Sequence, residues 1–106
     1  MAADFPNQEN HGGNRYGRVR TPAELGNLTR FHRKSAGLTL AEISAGAHLG
    51  LRFLSEFERG KENASLGRVL KALRALGLEM LVVPREDAER ILRDRMRTGG
   101  QQERPR

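Results

Sequence analysis

The sequence predicts an all-α domain of four to five short helices, followed by one short β-strand. Three observations carry this. Apolar residues recur at three- and four-residue spacing through successive stretches between Thr21 and Leu76. Capping residues punctuate those stretches: Thr21, Thr39 and Ser65 stand where helices should start, and Gly37 and Gly77 where they should stop. The period then changes, because Leu78-Glu79-Met80-Leu81-Val82-Val83 is β-leaning and is halted by Pro84.

Length and charge bound the rest. A chain of 106 residues supports one small domain. We divide it into an arm at 1–20, a helical domain with its strand at 21–83, and a charged helix with a tail at 84–106. The net charge of +6 is spread over these as +1, +3 and +2. Such a balance favours an anionic partner, nucleic acid or an acidic protein surface, or else serves solubility alone. Any basic face must come from placement, since there is no block of charge. The absence of cysteine excludes a disulfide and a thiolate metal site, and fits a reducing cytoplasm. No apolar run approaches the roughly 18 residues of a membrane span. The N-terminal residues lack the basic-then-apolar order of a secretory signal.

The elements follow in order. Residues 1–20 are polar and rich in Gly and Asn, and read as disordered. Arg15, Arg18 and Arg20 could reach phosphates or a minor groove from there, or belong to a plain extension. A helix begins near Pro22, with Thr21 as N-cap and Glu24 completing a capping box. Leu25, Leu28, His32 and Ala36 share its expected buried face, with Phe31 beside it. Arg33 and Lys34 sit late, where the helix dipole favours cations. A second helix runs from Leu40 to about Gly46 behind a capping box of Thr39 and Glu42, and the chain must turn at Gly46-Ala47-His48. A third runs from about Leu51 to Glu58. Ser65 caps a fourth, Leu66 to about Ala75, whose expected buried stripe is Leu66, Val69, Leu70 and Leu73, continued by Leu76. The strand, with Leu78, Met80, Leu81, Val82 and Val83, has no partner within the chain. Two copies could pair across a two-fold axis, or the segment could lie extended on its own domain. Glu86 to about Arg97 reads as a charged helix with a modest apolar face of Ala88, Ile91, Leu92 and Met96. Residues 98–106 read as a disordered tail.

Helix, tight turn, helix, on a basic chain, is the outline of a helix-turn-helix DNA reader. The residues filling it, Thr39-Leu40-Ala41-Glu42-Ile43, Ala47, Leu49 and Phe53-Leu54-Ser55-Glu56-Phe57-Glu58-Arg59-Gly60-Lys61, resemble the Cro/C1-type (XRE) helix-turn-helix family. The continuation Ala64-Ser65-Leu66-Gly67-Arg68-Val69-Leu70 and Leu76-Gly77-Leu78 is similar to its HipB-type antitoxin branch. The resemblance implies a lambda-repressor-like bundle in which Phe53, Leu54 and Phe57 face the core. It leaves Leu51, Arg52, Ser55 and Glu56 pointing out toward base edges. Arg52 could bond guanine O6 and N7, Leu51 could pack on a thymine methyl, and Ser55 could reach a base or phosphate. Glu56 could accept from a cytosine amine or simply hold Arg52 or Arg59. Thr39, Gly50, Arg59, Lys61 and Asn63 are the expected phosphate contacts. Arg33 and Glu58 are implied to pair beneath the motif.

Four positions depart from the family's pattern. His48 stands where Gly is usual, and is among the better non-Gly residues at positive φ. Leu40 replaces a phosphate-binding Gln. Gly50 replaces a Ser or Thr cap. Ser44 replaces a small Ala at the helix crossing.

The expected function is that of a sequence-specific, dimeric DNA-binding repressor acting on a double-stranded operator. The HipB-type resemblance implies an antitoxin that represses its own operon and holds a HipA-like serine/threonine kinase toxin inactive. A stand-alone regulator without a toxin, and a protein-binding adaptor, are the alternatives. An enzyme is not expected. There is no cysteine nucleophile and no phosphate-cradling Gly loop before a helix. His11, His32 and His48 suggest neither a catalytic set nor a metal site, and no cofactor is expected.

Overall fold

The computed structural model describes residues 17–97. His11, Arg15 and the tail at 98–106 lie outside the described residues, as does the side chain of Met96. Two compact units are distinguished, one spanning Val19–Leu81, the other comprising, among described residues, 17–18 and 82–97. The fold is all-α. In the first unit α1 spans Pro22–Ser35, α2 Leu40–Ala47, α3 Leu51–Glu58 and α4 Leu66–Ala75; the second holds α5, Arg85–Arg97.

Local chemistry explains the boundaries. The Thr21 hydroxyl accepts from the Glu24 amide at 3.1 Å, and Pro22 opens α1. The Glu24 carboxylate accepts from Arg20 N at 2.6 Å, one residue earlier than the capping box expected. α1 then ends in a left-handed turn at Gly37 (φ 74°), where Leu38 N donates to Arg33 O and Gly37 N to Lys34 O. The same two-bond closure recurs after α3 at Gly60 and after α4 at Gly77. α2 makes its left-handed exit on His48 instead (φ 58°, ψ 46°), as the sequence requires.

The core is Ile43, Ala47, Leu49, Leu54, Phe57, Val69, Ala72 and Leu73, flanked by half-buried Leu25, Leu38, Phe53, Leu76 and Leu78. α3 packs on both α1 and α2, and α4 packs on α2. Two expected faces are corrected. α1 buries Gly26, Thr29 and Arg33, while Leu25, Leu28 and His32 are only half-buried and Ala36 is exposed. The reason is close approach: a Cβ at Gly26 would collide with the carbonyl oxygens of Phe57 and Glu58. α1 therefore meets the end of α3 backbone to backbone. α4 buries Val69, Ala72 and Leu73, and leaves Leu66 and Leu70 exposed at 63% and 37%.

Among the described residues no β-strand forms. Leu78–Val83 has no neighbouring strand among the described residues to build a ladder with, and it carries no regular structure. Leu78 rests half-buried on the core, and Met80 and Leu81 stand in solvent. In the second unit Val82 and Val83 are also exposed. Here α5 starts one residue before the expected Glu86, with Asp87 N and Ala88 N donating to Pro84 O. Its surface is laced by Arg90–Asp87 (2.6 Å) and Arg18–Glu89 (3.1 Å).

Candidate nucleic-acid interface

α2, the turn and α3 form the helix-turn-helix. Thr39 and Glu42 make the expected capping box. The Thr39 hydroxyl accepts from Glu42 N at 3.1 Å, and Glu42 Oε1 accepts from Thr39 N at 2.8 Å. That hydroxyl also donates to Glu42 Oε1 at 3.2 Å, so its own proton is already engaged. Ser44 does more than fit the crossing. Its hydroxyl donates to Leu49 O at 2.6 Å, and Leu49 N donates to Ser44 O at 3.1 Å. This reciprocal pair clamps the turn on either side of left-handed His48. Alanine there would lose the first of the two bonds.

Gly50 opens α3 with extended backbone and no side-chain cap bond. The first amides of α3 are thus not satisfied by a side chain, which suits them to a phosphate. Leu54 and Phe57 are buried and Phe53 half-buried, which fixes the roll of α3. Phe53 and Phe57 stack with centroids 6.1 Å apart, and the Arg68 guanidinium lies 5.7 Å from the Phe53 centroid. The opposite side is left to solvent: Leu51 is exposed, and the Arg52 side chain is 89% exposed.

The outward residues are tied to one another. Arg52 Nε donates to Glu56 Oε2 at 3.1 Å, and Lys61 Nζ donates to Glu56 Oε1 at 3.0 Å. The two cations hold the Glu56 carboxyl below the usual carboxylate range, Lys61 through its hydrogen bond first and Arg52 second. Arg59 Nη1 donates to Ser55 Oγ at 2.8 Å, so Arg59 holds Ser55 and not Glu56. Arg59, Lys61 and Asn63 are all exposed along the loop that leaves α3. Leu51, Arg52, Ser55 and Glu56 thus share one outward surface with Arg59 and Lys61.

Beneath that surface lies the second ion pair. Arg33 donates from Nε to Glu58 Oε2 at 2.7 Å and from Nη2 to Glu58 Oε1 at 2.9 Å. Its Nη1 donates to Leu38 O at 2.7 Å. Both side chains are more than nine-tenths buried. The hydrogen bond to Glu58 raises the Arg33 pKa above its ordinary value, against the opposing effect of burial. The pair locks the end of α3 to α1 and to the Gly37 turn.

The arrangement is a helix end without a side-chain cap, with cations on its outward side. A shallow apolar recess of about 320 Å³, walled by Val19, Pro22, Leu25, Phe57, Leu66 and Val69, lies between the starts of α1 and α4. Among the described residues no helix is long and apolar enough to cross a membrane. Sequence reasoning missed the Ser44 clamp, the Lys61–Glu56 contact and the Arg68–Phe53 contact.

Three kinds of comparison bear on this geometry. A family description for helix-turn-helix matches residues 30–83. The HTH-type transcriptional regulator y4mF of Sinorhizobium fredii is 43% identical over 60 residues, covering 57% of this chain and 79% of that protein. Among solved structures, HipB in complex with an O2 20mer superposes with a TM-score of 0.63 at 26% identity, covering 66% of this chain and 97% of that one. HipB in a HipA–HipB–O2–O3 complex superposes with a TM-score of 0.63 at 24% identity, over 66% and 99%.

Proposed function

The chain belongs to the Cro/C1-type helix-turn-helix family of transcriptional regulators, and from that premise we propose that it is a HipB-like antitoxin that reads its own operator and neutralises a HipA-like kinase. The observation that carries the DNA-reading half is the roll of α3. Leu54 and Phe57 anchor it inward, and Leu51 and Arg52 are thereby turned out at its N-terminal end. On this reading Arg52 meets a guanine, Leu51 a thymine methyl, and Ser55 a base or phosphate. Gly50 offers its helix end, and Arg59, Lys61 and Asn63 offer side chains, to phosphates. Thr39 can add a phosphate contact by redirecting its hydroxyl from Glu42.

The dimer belongs to the same proposal. The exposed Met80, Leu81, Val82 and Val83, with Leu78 at their head, supply a segment that a second copy could pair with across a two-fold axis. Half-sites would then lie about 34–36 Å apart, one turn of DNA. The HipB structures, one with an O2 20mer and one with HipA, support both arms of the reading. We place this activity in the cytoplasm.

A second reading is a stand-alone regulator, with which the S. fredii relative's name, an uncharacterized HTH-type transcriptional regulator, is consistent. One experiment separates them: co-expression of the tagged chain with the neighbouring genes of its native locus. Co-purification of a kinase-like protein is the expected result. A homodimer alone from the complete locus would overturn the antitoxin arm and leave the regulator.

A further inference from the structure

We propose that Glu56 is a specificity-determining positioning residue: it gathers Arg52 and Lys61 onto one carboxylate, aiming the arginine at a base while suppressing phosphate-only binding. The inference rests on the DNA-reading proposal above and assigns one of its outward residues a role other than base contact.

The geometry supports both halves. Arg52 is almost fully exposed, and its one described partner is Glu56, one helical turn on. That bond uses Nε and does not engage the two terminal nitrogens, the end-on fork that matches O6 and N7 of guanine. Without it a solvated arginine samples many rotamers and can settle on any nearby phosphate. Lys61 is captured differently. The turn at Gly60 brings Lys61 N to Glu56 O at 3.1 Å, and the ammonium comes with it to Oε1. Both carboxylate oxygens are therefore committed to cations, which leaves Glu56 poorly placed to accept from a cytosine amine. Arg52 and Lys61 bring two positive charges to this one carboxylate, with Arg59 on the same surface. On non-specific DNA the carboxylate opposes the phosphates and lowers the patch's net attraction. On the right site the guanine contact outweighs that cost.

The test uses the full chain, a duplex selected by the wild-type protein from a random library, and a random-sequence duplex of equal length. Glu56→Gln keeps the shape and removes the charge. Affinity for the random duplex should rise roughly tenfold near 0.1 M salt, and the salt slope should steepen by about 0.9, the value of one more neutralised phosphate. The specific-to-random ratio should fall by a similar factor. Glu56→Asp keeps the charge and shortens the reach to Arg52. It should leave the salt slope unchanged and lower affinity for the selected duplex alone. Unchanged slope and ratio in Glu56→Gln would overturn the proposal. So would a loss confined to a base pair other than the one whose preference Arg52→Ala relaxes, which would make Glu56 a direct reader. If the wild-type chain selects no duplex and binds none in a salt-dependent way, the DNA reading itself fails and this inference with it. Thermal midpoints of both variants near the wild-type value identify these as surface effects.

Discussion

Glu56 and Glu58 stand two residues apart on α3, and each binds cations, yet they live in opposite worlds. Glu58 meets Arg33 in a bidentate bond where both side chains are more than nine-tenths buried. Glu56 meets Arg52 and Lys61 on the outward face, where Arg52 is 89% exposed. The same chemistry is therefore structural in one place and available for binding in the other. In the buried pair each charge is stranded without its partner, so neither can leave. In the exposed cluster water can replace any partner, and so can a phosphate or a base. Burial sorts the two roles.

The sharpest way to break this contrast is at the buried pair. Glu58→Ala should cost about 3–5 kcal/mol in urea or thermal unfolding, because Arg33 remains buried and uncompensated. Replacing both partners together, with Arg33→Met and Glu58→Leu, should recover most of that loss. A cost below about 1 kcal/mol would place the pair with the exposed cluster. Next comes Arg52→Ala, which should weaken the specific site by about 1–3 kcal/mol and relax preference at one base pair, with unfolding unchanged. Uniform weakening on all sequences would make Arg52 a phosphate contact. Lys61→Ala should weaken every duplex alike and reduce the salt slope by about 1. The gentlest probe is acid. The Glu56 carboxyl is depressed in the fold, so its contribution is full above the unfolded-chain pKa and is lost as pH falls through the lower folded value. Carbon NMR of that carboxyl should give a midpoint below the ordinary carboxylate range. Lys61→Ala should shift it upward more than Arg52→Ala does.

Much of the fold was legible because helix boundaries are written in single residues. Thr21, Thr39 and Ser65 all cap as read, and Gly37 and Gly77 both close the helices before them. Which face goes inward was less legible. Pattern reading weighs large apolar residues, so it chose Leu66 and Leu70 over Ala72, and Leu28 over Gly26. At Gly26 the packing chose the small residue, because two backbones come close there, and on α4 it buried Ala72 together with Val69 and Leu73. The Arg33–Glu58 bond lies 25 residues apart in sequence, and only the family resemblance pointed to it. Of the two partners of Glu56, Arg52 was legible from helical spacing, and Lys61 was missed for a local reason. Helical spacing offers Arg59, three residues on, but the Gly60 turn folds Lys61 back over the last turn of α3 and sends Arg59 to Ser55. Side-chain neighbours beyond a helix end depend on the cap, which periodicity does not describe.

Gly26 has a consequence for genetics. Its missing side chain is what lets α1 lie on the carbonyls of Phe57 and Glu58, at the far end of the helix that carries Arg52. A single methyl group there acts as a wedge. It would tilt α3 about its buried end and misaim residues that it never touches. A screen for loss of operator occupancy should therefore return Gly26→Ala alongside alleles of the outward face. That allele should be recognisable by temperature sensitivity, whereas the outward alleles should fail equally at every temperature.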